Sequence, residues 1–154
     1  MANRRTTRWH LVLAALLAAC LSPDVDAQGV DRGRVYTKAE VAEIIRHAEN
    51  ASDTFRAAVD TRLDRSRLNG TEREDFMNRQ VKQLENRLDE LRARFDRTDT
   101  WLETREEVRH VLVAARDVAG VMRRGPFGRP LAVEWRRLRA DLNTLAGVYD
   151  LPKL

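Results

Sequence analysis

The residues best suited to metal chemistry are two pairs of Glu and His, each spaced about one helical turn apart. Glu107 and His110 are three residues apart, and Glu43 and His47 are four apart. On an α-helix both spacings place the carboxylate and the imidazole on one face, where together they can bind a transition metal. A shared site requires all four side chains to converge in the core of a bundle. The simpler alternative is that both pairs lie on exposed helix faces.

Other catalytic patterns are missing from the sequence. Cys20 is the only cysteine and lies in an apolar N-terminal run, and no Gly-x-Ser-x-Gly turn or glycine-rich phosphate loop is present. There is also no Cys-x-x-Cys-His motif for haem attachment. We therefore predict that the protein is not an enzyme and uses no cofactor.

The N-terminal segment has the charge pattern of a secretory signal. Arg4, Arg5 and Arg8 precede an uncharged, mostly apolar run over residues 11–21. A basic stretch followed by an apolar one is typical of export signals, and this run is shorter than the roughly 20 residues that span a bilayer. The sequence predicts export by a bacterium, to the periplasm or to an outer-membrane anchor facing it, rather than secretion.

Two alternative processing sites are present. Ala27 followed by Gln28 fits the small-residue rule for ordinary signal cleavage, which would remove residues 1–27. The tetrapeptide Leu17-Ala18-Ala19-Cys20 resembles the lipobox of bacterial lipoproteins. That resemblance implies that residues 1–19 are removed, that Cys20 carries a lipid anchor, and that the chain to about residue 36 is a tether. Leu21 after the cysteine then implies the outer membrane.

The charge balance argues against nucleic-acid binding. Charged residues make up 34% of the chain and the formal net charge is +4, with opposite signs alternating along the sequence instead of forming one basic stripe. Such a mixed surface fits another kind of partner. We expect an envelope protein or an anionic surface polymer, with self-association as a further alternative.

Residues 37–154 are predicted to form one all-α domain, an antiparallel bundle of three long helices and a shorter fourth with coiled-coil-like packing. No segment alternates polar and apolar residues as a strand would. Three Thr residues are each followed three positions later by Glu, which predicts helix starts at Thr37, Thr71 and Thr100. The first three predicted helices cover about residues 38–67, 72–97 and 101–124, and the fourth has Pro130 in its first turn and runs to about residue 148.

Each predicted helix carries apolar residues three or four positions apart, as a helix with one buried face requires. In the second helix this stripe is narrow enough for a coiled-coil seam. An alternative is that the first two helices project as a hairpin and dimerise through an exposed stripe. The predicted stripes are Val41, Ile45, Ala48, Ser52, Phe55, Val59 and Leu63; Met77, Val81, Leu84, Leu88, Leu91 and Phe95; Trp101, Val108, Leu112, Ala115, Ala119 and Met122; and Leu131, Trp135, Leu138, Leu142, Leu145 and Tyr149.

The strongest candidate contact surface is the break between the third and fourth helices. Phe127 stands between two glycines, close to Arg123, Arg124 and Arg129. An aromatic ring flanked by guanidinium groups can dock on an anionic lipid surface or in an acidic partner groove. Alternatively, Phe127 folds back over the end of the bundle and the arginines remain in water.

The function expected from these features is that of an exported, non-enzymatic helical interaction or scaffold module of the cell envelope. The alternative is a periplasmic bundle that binds a small molecule or a metal through Glu43, His47, Glu107 and His110. The two hypotheses make different demands on the fold, because the second needs its histidines inside the core.

Overall fold

A computed structural model describes residues 35–66, 70–125 and 127–154. Within these ranges the chain is all α, without a strand, and a 3-10 turn precedes the third helix, which confirms the predicted fold class. The signal segment and the processing residues Cys20, Ala27 and Gln28 lie outside the described residues. The helices are α1 Lys38–Asp64, α2 Glu72–Phe95, α3 Arg105–Arg124 and α4 Gly128–Val148, and the 3-10 turn is Trp101–Thr104.

Neighbouring helices run antiparallel. At one end, which we call the entry end, Lys38 at the start of α1 donates a hydrogen bond to the carbonyl of Thr98, just after α2. At the other end, the loop end, Arg62 near the end of α1 donates from Nε to the carbonyl of Phe127, just before α4, at 3.0 Å. α1 packs on α4 and α2, and α2 also packs on α3, whereas α3 and α4 pack less closely.

The first two helices begin as their sequences predict. At α1, the backbone N–H of Thr37 donates to Glu40 Oε2 at 2.8 Å, and the N–H of Glu40 donates to Thr37 Oγ1 at 3.2 Å. At α2, Thr71 Oγ1 accepts from the N–H of Glu74 at 3.4 Å, and the Glu74 carboxylate accepts from the N–H of Gly70. These bonds satisfy backbone donors that the helices themselves leave free.

The third Thr and Glu pair opens a 3-10 turn rather than an α-helix. Glu103 Oε1 accepts from the backbone N–H and the hydroxyl of Thr100, both at 3.0 Å, and these bonds lower the pKa of Glu103. The turn delays the start of α3 to Arg105, and α4 starts at Gly128. The lengths are 27 residues for α1, 24 for α2, 20 for α3 and 21 for α4. The fourth helix is thus not the shortest, contrary to the prediction, because the 3-10 turn shortens α3.

The predicted stripes of α1, α2 and α4 are the buried faces of these helices. Every residue predicted for them is buried, including the polar Ser52. The alternative of a projecting hairpin is wrong, because α1 packs against both α2 and α4 and its stripe is covered. For the same reason the seam of α2 is part of the core and is not free to receive a partner helix.

α3 buries a wider face than the sequence predicted. Val111, Ala114 and Val118 are buried beside the predicted stripe, whereas Ala119 and Met122 are only partly covered. The difference arises because α3 packs closely on α2 and more loosely on α4. The small side chains of α3 therefore face more than one neighbour, and a single stripe does not describe its burial.

An aromatic cluster closes the entry end. The Trp101 ring stands nearly perpendicular to the rings of Tyr36 and Tyr149, with centroid distances of 6.5 and 5.2 Å, and its Nε1 donates to the Tyr36 carbonyl at 2.9 Å. The Thr104 and Tyr149 hydroxyls are 2.8 Å apart. Because the single hydroxyl proton of Thr104 goes to the Trp101 carbonyl, Tyr149 is the donor in this buried pair.

The C-terminal residues lie across α3 and α4. Arg116 of α3 donates to the carbonyl of Pro152 at 3.2 Å, and Arg139 of α4 donates to the carbonyl of Leu154 at 2.6 Å. The N–H of Leu154 in turn donates to Asn143 Oδ1 at 2.8 Å. The tail thus links the two neighbouring helices that pack least closely.

Replacing Tyr149 with Phe should lower the free energy of unfolding by about 1 kcal/mol, because Thr104 loses a buried hydrogen-bond donor. Burial also raises the pKa of Tyr149 above its ordinary value of 10.0, so the folded state holds this proton more tightly than the unfolded state does. Stability should therefore fall as the pH rises past 10.0. The Tyr149→Phe variant should lose less stability over this pH range, because it lacks the hydroxyl that titrates. Urea unfolding at neutral and alkaline pH measures both effects.

The control for this prediction is Thr61→Val, which removes an exposed hydroxyl from α1. It should change neither the stability nor its dependence on pH. A Tyr149→Phe variant as stable as the parent at neutral pH would contradict the role of Tyr149 as a donor.

Candidate functional site

The Glu and His pair of α1 lies on the surface. His47 is exposed, and the carboxylate of Glu43 is bound by Arg46 Nη2 at 2.6 Å instead of facing the imidazole. The hydrogen bond from Arg46 is the largest cause of a lowered pKa at Glu43. Glu43 is therefore an ionised surface carboxylate in a local ion pair.

The pair on α3 is also divided. His110 is about half exposed, and its Nε2 lies 3.5 Å from the carboxylate of Glu106 rather than from Glu107. Glu107 is turned toward α2, with Oε1 3.8 Å from Arg94 Nε. The side chains of Glu107 and His110 therefore have different neighbours and are not arranged to bind one metal ion together.

These positions do not meet the requirement of the metal hypothesis. α1 packs on α2 and α4, which makes α3 its diagonal neighbour, and both histidines face solvent. Within the described ranges no three His, Cys, Asp or Glu side chains come close enough together to hold a metal ion. The four residues named from the sequence do not converge in the core.

Phe127 folds back into the loop end of the bundle. Its side chain is only 8% exposed, its carbonyl accepts from Arg62, and its ring lies directly against the backbone of Gly125. Of the two arrangements that the sequence allowed, the structure has the one in which the ring covers the bundle end. Phe127 is not presented for insertion into a lipid surface, whereas Arg123, Arg124 and Arg129 are exposed.

A groove with a volume of about 630 Å³ opens beside the Phe127 ring at the loop end. The first two turns of α2 form one wall, and the end of α3 with its connection to α4 forms the other. This volume is within the range of about 300–1,000 Å³ found for ligand pockets. The lining residues are Glu72, Arg73, Asp75, Phe76 and Arg79 on α2, and Val121, Arg124, Gly125 and Phe127 opposite.

Phe76 is the main apolar side chain that the groove exposes to solvent. It is 43% exposed and directly precedes Met77, the first buried residue of α2. The guanidinium carbon of Arg79 lies 5.9 Å from the centre of its ring. At this distance the cation and the ring attract each other, which holds a positive charge over the apolar wall.

Many arginines of the described residues are engaged by the protein itself. Along the helices they pair with acids of the same or a neighbouring helix, as Arg56 does with Glu85 at 2.6 Å and Arg92 with Glu49 at 2.9 Å. The other arginines of the described ranges have neither an ion pair nor a hydrogen bond to the protein. Most of them lie at the loop end, and Arg97 and Arg136 are the exceptions. The group at the loop end consists of Arg65, Arg73, Arg79, Arg123, Arg124 and Arg129.

The acids in the groove offset only part of this positive charge, since its described lining has two carboxylates against three guanidinium groups, those of Arg73, Arg79 and Arg124. Glu72 and Asp75 lie in the first turn of α2, where the positive end of the helix dipole stabilises a carboxylate. The loop end therefore combines an aromatic groove with an excess of arginines that have neither an ion pair nor a hydrogen bond within the described residues.

Sequence reasoning found only part of this site. It named Arg123, Arg124, Phe127 and Arg129, but it did not place α2 beside them, so Phe76 and the two arginines near it were missed. The sequence did contain one indication that Phe76 is exposed. Phe76 is an aromatic residue outside the apolar stripe of a helix whose other exposed positions are almost all polar.

Comparison with known proteins adds no relative, since no protein-family model, curated protein sequence or solved structure matches the chain. Among the described helices none is long and apolar enough to cross a membrane. The candidate site is therefore defined by its own geometry.

Replacing Gly125 with Ala should lower the free energy of unfolding by about 1–3 kcal/mol, because the added Cβ would overlap the ring of Phe127 and force it to move. The backbone of Gly125 has a φ of −109° and a ψ of 144°, which Ala adopts without strain, so the cost should come from packing. Urea unfolding followed by circular dichroism measures the change.

Gly147→Ala is the matched control. A Cβ at this position of α4 meets no atom within 4 Å, so this variant should be more stable than the parent by about 0.5–1 kcal/mol. If Gly125→Ala were also stabilising, the close packing of Phe127 on Gly125 would be refuted.

Proposed function

We propose that the protein is an exported, non-enzymatic interaction module of the bacterial cell envelope, and that it binds an anionic partner with the loop end of its bundle. The observation that carries this proposal is the group of described arginines, without an ion pair or hydrogen bond to the protein, that surrounds an aromatic groove. Aromatic and arginine side chains are enriched in protein interfaces and at the positions that contribute most to binding.

The lining of the groove supports binding rather than catalysis. Its apolar surface comes from Phe76, Val121 and Phe127, and its polar groups are guanidinium groups and carboxylates. Among the described residues, its lining has no His, Cys, Ser or Lys side chain that would act as a nucleophile or as a proton carrier near neutral pH. This surface can bind a ligand through apolar contacts and through charge.

Support for export comes from the basic and apolar order of residues 4–21, and support for a lipid anchor comes from the lipobox-like sequence that ends at Cys20. The chain reaches α1 at the entry end, and the 27 residues of α1 are about 40 Å long. The groove therefore lies at the end of the bundle opposite the start of α1.

Site-specific photocrosslinking in cells tests the binding role of the loop end. A benzophenone amino acid in place of Phe76 should give a discrete crosslinked species of higher mass, because Phe76 is the exposed apolar side chain of the groove. The same species should be lost when Arg124→Glu is added, since the reversed charge repels an anionic partner. Immunoblotting of irradiated cells measures both outcomes.

The control position for the crosslinker is Val113, which is exposed to a similar extent on α3 but does not line the groove. Crosslinking from position 113 should not give this species. Identical products from both positions, or no product from position 76, would overturn the proposed role of the groove.

The envelope location is tested by the intact mass of the mature protein from membrane and soluble fractions. We expect a membrane-bound species that begins at Cys20 and carries acyl chains, because the lipobox-like sequence places the cysteine at the first mature position. Replacing Cys20 with Ser should release the protein from the membrane fraction. A soluble species beginning at Gln28 would rule out the anchor while keeping export, and a full-length chain in the cytoplasm would overturn both.

A further inference from the structure

We propose that the groove at the loop end binds an acidic peptide segment that carries one apolar anchor side chain. The inference rests on the proposed interaction function and specifies the chemistry of the partner. It follows from three properties of the site, which are an exposed aromatic wall, arginines that extend beyond the groove, and a concave shape.

The apolar part of the groove is prepared for an anchor side chain. Phe127 is fixed by its packing on Gly125 and by the hydrogen bond from Arg62 to its carbonyl, so this wall is formed before a ligand arrives. Phe76 lines the same groove from α2 and remains 43% exposed. A side chain inserted into the groove would remove this aromatic surface from water, and little conformational entropy would be lost by a wall that is already ordered.

The charged part favours a peptide with several acids over a small molecule with a single carboxylate. Arg73, Arg79 and Arg124 line the groove, whereas Arg123 and Arg129 lie outside it near the same end of the bundle. One carboxylate would leave the outer guanidinium groups unused. An extended chain with acids on both sides of its anchor can reach both sets, and arginine binds carboxylates with two parallel hydrogen bonds.

An anionic membrane surface fits the same site less well. Insertion into lipid needs apolar side chains that protrude, whereas Phe127 is buried and Phe76 lines a concavity. Glu72 and Asp75 also face the groove, and they would repel a continuous layer of negative headgroups. A peptide can place its backbone or its uncharged anchor side chain beside these two acids.

The experiment measures binding of dye-labelled peptides to the purified chain by fluorescence anisotropy at low ionic strength. One probe is Asp-Asp-Glu-Phe-Glu-Asp, and the second has Ala in place of Phe. We expect the Phe peptide to bind about tenfold more tightly, which corresponds to about 1.4 kcal/mol for the anchor. Binding of both should weaken in about 0.5 M salt because the charges are screened.

Two variants with matched controls locate the binding site. Arg124→Glu and Phe76→Ala should each weaken binding of the Phe peptide about tenfold. Arg97→Glu changes the net charge by the same amount, but at the entry end, and Val113→Ala removes an exposed apolar side chain outside the groove. Neither control should alter the affinity, and all four positions are exposed, so the variants should fold like the parent.

Several results would overturn this inference. Equal affinity for the two peptides would show attraction by charge alone, and equal loss from Arg97→Glu and Arg124→Glu would remove the groove as the site. Binding to phosphatidylglycerol vesicles that depends on Arg124, without peptide binding, would replace the peptide by a membrane. A crosslink from position 76 in cells, combined with no peptide binding, would refute only the peptide chemistry, whereas peptide binding without any crosslink would refute only the proposed cellular role.

Discussion

The structure depends above all on the burial of the apolar stripe of α1. This helix packs against both α2 and α4, and Phe55 in its middle lies 5.6 Å from the ring of Trp135 on α4. Because the buried side chains along α1 are covered from two sides, losing one of the large ones typically costs about 2–5 kcal/mol. The packing of α1 therefore joins the pair of α1 and α4 to the pair of α2 and α3 around one core.

The two ends of the bundle are finished in different ways. At the entry end, aromatic rings and the buried pair of Thr104 and Tyr149 cover the core, and the tail links α3 to α4. At the loop end, α2 starts beside the end of α3, and a single ring, Phe127, fills the connection between α3 and α4. The groove is the space between α2 and the end of α3 that the Phe127 ring leaves open.

The meeting of helix ends at the loop end also explains why arginines without an ion pair gather there. Along the helices, acids and arginines one turn apart or on adjacent helices can pair, as in the ion pair of Arg92 with Glu49. At the loop end the nearby acids are engaged by a helix start, as Glu74 is, or stabilised by the dipole of α2. Exposed arginines there have no such partner, so a molecule with only a small formal net charge of +4 presents a locally basic end.

The sequence by itself determined the fold class and most of the core, because apolar residues spaced three or four apart define the buried face of a helix whatever it packs against. It identified the helix starts at Thr37 and Thr71 for an equally local reason, since their bonds join residues close in sequence. Only the tertiary structure decided that Phe127 turns inward, that His47 and His110 stay apart at the surface, and that Phe76 and Phe127 line one groove. These outcomes depend on which helices become neighbours, and the periodicity of one helix does not contain that information.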